Sequence, residues 1–145
     1  RGFTPPETPI RCVSNTVGTS KPIIELMLPK NVYWGGETLS GNIMLHNIQG
    51  KRIRKVDIRL LRVEDVVARG YRRIYTYDEG YASIPKEYLY EGTPIPFTIE
   101  IPSDAPTQFE GMYSKLFWRI VANIDIALAF DVQAETIINI FNGVR

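Results

Sequence analysis

The residues of this 145-residue chain that could do chemistry are one histidine, one cysteine, two adjacent carboxylate pairs, a double glycine and a dense run of arginines. A serine or cysteine hydrolase needs a base that moves a proton near neutral pH, usually histidine. His46 is the single candidate, and its parity beside a turn marks it as a solvated strand-end residue. Cys12 stands in a proline-rich stretch, cannot form an internal disulfide and reads as an inert thiol. Zinc and copper sites want several Cys or His ligands, which one of each does not supply. Glu64-Asp65 and Asp78-Glu79 lie near strand ends. Glycoside hydrolysis would require two such groups across a sugar cleft at a set separation, whereas turn acids are commonly just solvated. Gly35-Gly36 is too short for a phosphate-cradling loop and leads into a strand rather than a helix. The residues therefore assemble no catalytic, cofactor-binding or metal set, and the chain is not expected to be an enzyme.

The arginines are the conspicuous feature. Lys51, Arg52, Arg54, Lys55, Arg59, Arg62, Arg69, Arg72 and Arg73 put nine of the 17 basic residues into 23 positions. Adjacent strands could gather several of these guanidinium groups on one outer face, where bidentate pairing suits a carboxylate or phosphate. Tyr71, Tyr75, Tyr77, Tyr81, Tyr88 and Tyr90 lie in or beside the same region, and Tyr with Arg is the composition enriched at protein-binding hot spots. The candidate partner-binding residues are Arg52, Arg54, Arg59, Arg62, Arg69, Arg72, Arg73, Tyr71 and Tyr75. The alternative reading is that outward strand positions are polar, that cations deter edge aggregation, and that tyrosines are good strand formers.

These side chains need a scaffold. The length suits one domain, and 44% hydrophobic with 23% charged residues suits a packed core. A net charge of +1 gives the whole molecule no field that would make nucleic acid or an acidic membrane an obligate partner; local clustering must carry any such claim. The longest apolar run, Ile120 to Phe130, is broken by Asn123 and Asp125 and is no membrane span. With no signal architecture at Arg1-Gly2-Phe3, a cytoplasmic location is expected. Residues 1–21 read as a flexible tail or the cut end of a longer chain, and 22–145 as the folded domain.

Beyond residue 21 the apolar residues recur at period two, the pattern of half-buried strands. Ile24, Leu26 and Leu28 mark the first strand; Leu39, Gly41, Ile43 and Leu45 the second. Val56, Ile58 and Leu60 follow, and Leu60-Leu61 breaks the phase. A β-bulge there would let Leu61 and Val63 take over the inward face and leave Arg59 and Arg62 both outward. Ala68 to Tyr77 reads as an edge strand, Asp78-Glu79-Gly80 as a turn, and Tyr81 to Tyr90 as an edge strand or loop demoted by Pro85. Ile95, Phe97, Ile99 and Ile101 form a clean strand. Leu116 to Ile126 on even positions, then Val132 to Ile140, complete seven strands and an eighth. The fold class is all-β: an immunoglobulin-like antiparallel sandwich of two sheets.

Two stretches carry a family resemblance. Tyr33-Trp34-Gly35-Gly36-Glu37-Thr38-Leu39-Ser40-Gly41-Asn42-Ile43 resembles the arrestin pattern of an aromatic, a Gly-Glu turn and a strand with a second glycine. Phe97 to Pro106, with its two spaced prolines, and the following strand Trp118 to Asp125 are similar to the second half of that pattern. The likeness spans Ile23 to Phe141. It implies an arrestin-like sandwich and a non-catalytic adaptor or scaffold role, as in receptor arrestins, retromer-type sorting subunits and sporulation-control proteins. Most relatives carry two sandwiches in tandem, and this chain has room for one.

The leading expectation is thus a protein-interaction domain that binds a partner protein, including one with an acidic or phosphorylated segment, through the basic, Tyr-rich face or an open sheet edge. The alternative is a carbohydrate-binding β-sandwich module or sugar-active enzyme. A single-strand nucleic-acid binder ranks third, because the acidic remainder nearly cancels the patch.

Overall fold

The structure is a computed structural model that describes residues 7–14 and 21–143. Ten strands follow one another: β1 (Ile10–Val13), β2 (Ile23–Leu28), β3 (Val32–Trp34), β4 (Thr38–His46), β5 (Ile53–Ala68), β6 (Tyr71–Pro85), β7 (Ile95–Glu100), β8 (Phe109–Glu110), β9 (Ser114–Ile126) and β10 (Val132–Phe141). Among the described residues one 3-10 turn, Lys86–Tyr88, interrupts them. One sheet has the order β1-β2-β4-β7; the other runs β3-β10-β9-β5-β6, with β8 added against β9.

The inner faces of the two sheets form one core. Leu39, Ile43 and Leu45 of β4 meet Val56, Ile58 and Leu60 of β5, and Trp118, Ile120, Ala122 and Ile124 of β9 are wholly buried. The Trp118 indole N–H donates to the Pro106 carbonyl at 3.1 Å, so the largest core side chain leaves no polar group unpaired. Gly41 lies where a Cβ would stand 2.8 Å from Leu28 Cδ2, the Met27 carbonyl and Phe97 Cζ, so β4 passes its neighbours without room for a side chain.

Four sequence expectations change. Residues 10–13 form a strand paired from Ile10↔Leu28 to Val13↔Glu25, inside the stretch read as a tail. The backbone groups of β2 would otherwise be an open sheet edge, and Ile10 and Cys12 pack against the core. The polar run at 15–20 lies outside the described residues. Asp78-Glu79-Gly80 is no turn: β6 runs straight through it. The sheet is mixed, because β3 pairs in parallel with β10 from Val32↔Asn139 to Trp34↔Phe141.

The fourth change concerns the phase break. Along β6 the partners step from Leu60↔Gly80 to Leu61↔Asp78, while Leu60↔Ile120 and Leu61↔Arg119 stay in step along β9. The extra residue is therefore Glu79 in β6, and β5 keeps one alternation from Lys55 onward, its own irregularity lying at Ile53/Lys55. Leu61 and Val63 are buried but lie on the outer face, outside the main core cluster. Arg59 and Arg62 consequently point to opposite faces, and Arg62 shares the inner-face row of Trp118.

Candidate interaction surface

The sixteen-residue β5 and fifteen-residue β6 outrun the nine-residue β4 and six-residue β7 that face them. Cover from the facing sheet reaches β6 at Gly80, where a Cβ would lie 2.5 Å from Ile99 Cγ2. From Tyr71 to Asp78 every residue of β6 is exposed. β6 is also the end strand of its sheet, so among the described residues one flank of this stretch has no neighbouring strand. Tyr71 is 71% exposed and Ile74 57%; Tyr75 and Tyr77 are also exposed. The β8–β9 hairpin joins them with exposed Phe109 of β8 and Met112 and Tyr113 of the turn, which is tied to the arm by the Val67 N–H donating to the Tyr113 carbonyl at 2.8 Å. The result is a projecting two-stranded arm with aromatic rings along it.

The arginines do not share one face. Arg52 and Arg54 are at the start of β5 and Arg69 is past its end, roughly 50 Å apart at about 3.3 Å per residue. Arg54 donates through Nε and Nη2 to Asp125 Oδ1 at 3.1 and 2.9 Å. Arg59 lies over the Tyr81 ring at 4.7 Å, with Asp78 3.5 Å away. Arg62 lies 4.2 Å over Tyr77, donates to Glu79 at 2.7 Å and contacts Glu64; the hydrogen bond to Glu79 raises its pKa further. Arg72 grips Asp65 with two bonds of 2.9 and 2.5 Å, which lowers the Asp65 pKa. Both acid pairs singled out in the sequence are thus partners of arginines.

Five candidates remain outside these ion pairs among the described residues. Arg69, in the left-handed region at φ 53, forms the β5–β6 turn with Gly70. Arg73 stands opposite Val66 on the arm, and Tyr71 opposite Ala68. Tyr75 faces Glu64 across the ladder. Arg52 is at the other end of the molecule, in an open groove of about 770 Å³ lined by Ile48, Lys51, Ile53, Lys86, Leu89 and Ala127 among others.

The remaining chemical residues are structural. His46 is not simply solvated: its Nε2 contacts Glu25, which also receives Arg11 at 2.5 Å. Glu25 is 4% exposed, and its carboxyl is held below the ordinary 4.5, first by the His46 hydrogen bond and then by Arg11, against the opposing effect of burial. Burial pushes the Cys12 thiol up, away from a reactive thiolate. The Gly35-Gly36 turn pins three segments together: Gly35 N–H donates to the Phe141 carbonyl at 3.1 Å and Gly36 N–H to the Ile101 carbonyl at 3.1 Å. Glu37 Oε1 accepts from the Trp34 N–H at 2.9 Å. Buried Tyr33 has its pKa pushed up to about 12 by burial and donates to the Lys30 carbonyl. Among the described residues, no three His, Cys, Asp or Glu gather as a metal cluster, and no helix is long and apolar enough to cross a membrane.

The sequence reading missed Leu128 and Phe130. Their even positions continue the buried parity of β9, yet β9 ends at Ile126 and both side chains stand in the β9–β10 turn, 91% and 94% exposed.

No family model and no curated protein matches the chain. Among solved structures, Spo0M, the sporulation control protein from Bacillus subtilis, is similar with a TM-score of 0.54 and 23% identity, over 81% of this chain. The match takes in 48% of the Spo0M chain, so this chain corresponds to about half of that relative. The shared architecture is the arrestin-like, all-β sandwich of two sheets.

Proposed function

We propose that this chain is a non-catalytic interaction domain, an adaptor or scaffold module, that takes an extended segment of a partner protein onto the projecting arm. The observation that carries this reading is the free flank of β6 from Tyr71 to Asp78, eight consecutive exposed residues at a sheet edge. An edge strand offers main-chain N–H and C=O groups to an added strand, and side-chain pockets at alternate positions then set specificity. Tyr71 and Tyr75 would supply large contact area at low entropic cost, while Arg69 and Arg73, outside the arm's ion pairs, would meet carboxylate or phosphate on the incoming segment. The ion-paired Arg54, Arg59, Arg62 and Arg72 would contribute less, because a partner's anion would first have to displace an internal carboxylate.

The test is capture of partners from an extract of the native cell on the immobilised chain, repeated with Tyr71→Ser, Arg73→Ser and Tyr75→Ser combined. These side chains are exposed, so the thermal melt should be preserved. A protein retained by the parent and lost by the folded variant supports the arm. Equal retention rejects it, and recovery of glycan by a salt-insensitive interaction would favour the carbohydrate-binding alternative instead.

A further inference from the structure

We propose that the β9–β10 turn, with the cations beside it, docks this protein on an anionic lipid surface. This goes beyond the partner-protein reading and uses the opposite end of β5 from the arm.

Single exposed apolar residues are ordinary on a protein surface. Here a leucine and a phenylalanine two positions apart are 91% and 94% exposed, touching almost nothing of their own chain. The turn that carries them is held in place. Asp131 accepts from Asn123 Nδ2 at 3.0 Å and from the Ile126 N–H at 3.3 Å, and the Ala127 N–H donates to the Arg52 carbonyl at 2.8 Å. Leu128 has φ 60, in the left-handed region that a leucine seldom adopts. The strand ends thus fix a protruding apolar tip. A protein partner would need a matching pocket for such a convex tip, whereas the boundary between lipid headgroups and acyl chains yields around inserted side chains.

The charge around the tip selects the kind of lipid. Lys51, Arg52 and Lys86 line the adjoining groove with Ala127, and none of the three is in an ion pair among the described residues. Of the carboxylates at this end, Asp125 is paired with Arg54, while Asp131 and Glu91 are held by neutral N–H donors, Glu91 by the Ile48 N–H at 3.0 Å, and keep their charge against the three cations. Glu87 is the acidic residue left lining the groove. Tyr88, which closes the 3-10 turn that borders it, and Tyr90 are 61% and 59% exposed, and tyrosine favours headgroup depth. Apolar residues at the apex with cations behind them complement an acidic bilayer surface, where each basic residue near the surface adds attraction that salt screens.

The full chain is sedimented with vesicles of phosphatidylcholine alone, and with about one lipid in three replaced by phosphatidylserine. The bound fraction should be at least about fivefold higher on the anionic vesicles and should fall as salt is raised. Leu128→Ser with Phe130→Ser should lower binding by about fivefold or more with an unchanged melt, since both side chains are solvated already. Lys51→Ser with Arg52→Ser should lower it without changing the melt, and Phe130→Trp should shift its emission to shorter wavelength on anionic vesicles. The Tyr71→Ser, Arg73→Ser, Tyr75→Ser variant should bind vesicles like the parent, which separates this docking from the arm. Equal sedimentation of parent and the Leu128/Phe130 variant, or an unshifted Phe130→Trp emission, overturns the proposal. So does a requirement for Leu128 and Phe130 in capturing a protein while vesicles stay unbound.

Discussion

Arg62 stacks over Tyr77 while holding Glu79 and Glu64, so truncating it leaves two carboxylates without their shared cation. Arg62→Ala should lower stability by about 1–2 kcal/mol, in line with a charge-assisted, partly buried hydrogen-bond pair. Arg73→Ala should stay within about 0.5 kcal/mol, as exposed unpaired positions do. Paired urea melts of the two variants check the contrast. Counting basic residues could not distinguish them, because Glu79 sits seventeen positions from Arg62 and reaches it only through the ladder. Glu25 makes a different prediction. Its folded pKa lies below the ordinary 4.5, so its ion pairs stabilise the fold above about that pH, and this stability is lost as pH falls through the lowered folded value. The melting temperature of the parent should therefore drop in acid more steeply than that of Glu25→Gln, which has no carboxyl to protonate. Parallel acid limbs would show that the His46–Glu25–Arg11 cluster contributes nothing to folding.

Among the elements, β4, β7, β9 and β10 were legible because each buries one face and keeps strict alternation over six or more residues. β1 and β3, four and three residues long, are too short to carry a period, and distant strands position them. The break at Leu60-Leu61 was visible, but adjacent buried leucines do not say which strand holds the extra residue. That depends on the partner, and Glu79 holds it. The bulge also explains why an acidic Asp78-Glu79-Gly80 triplet continues a strand: Gly80 leaves room for Ile99 as β6 comes against β7. Deleting Glu79 makes Asp78 and Gly80 consecutive opposite Leu61 and Leu60, so the hairpin should keep its register. The variant should retain its circular-dichroism strand signal and lose no more stability than Arg62→Ala. Loss of the cooperative melt would mean that the local twist of the bulge is itself required.

At the scale of the whole molecule, a two-sheet sandwich follows from alternating runs separated by Gly, Pro and Asn turns, and the structure has that architecture. The surface was less legible. Arginine density was plain, but the length of β5 spreads it along the molecule, and the apolar turn was hidden at the end of a buried run by its matching parity. One long-range connection bears on how the chain is made. β3 finds its partner in β10, and the Asn139 side chain donates to the Asn31 carbonyl 108 positions earlier. As the polypeptide leaves the ribosome, Val32–Trp34 emerge before β4 to β10 and must wait for all of those strands before they can pair. Closing so long a loop is costly in entropy and tends to come late. Pulse-labelled hydrogen exchange during refolding should show the amides of Val32–Trp34 and Asn139–Phe141 gaining protection together, after those of the β5–β6 hairpin. Until that moment β3 is an unpaired strand segment, so holding it harmless through synthesis would be a task for whatever escorts the nascent chain.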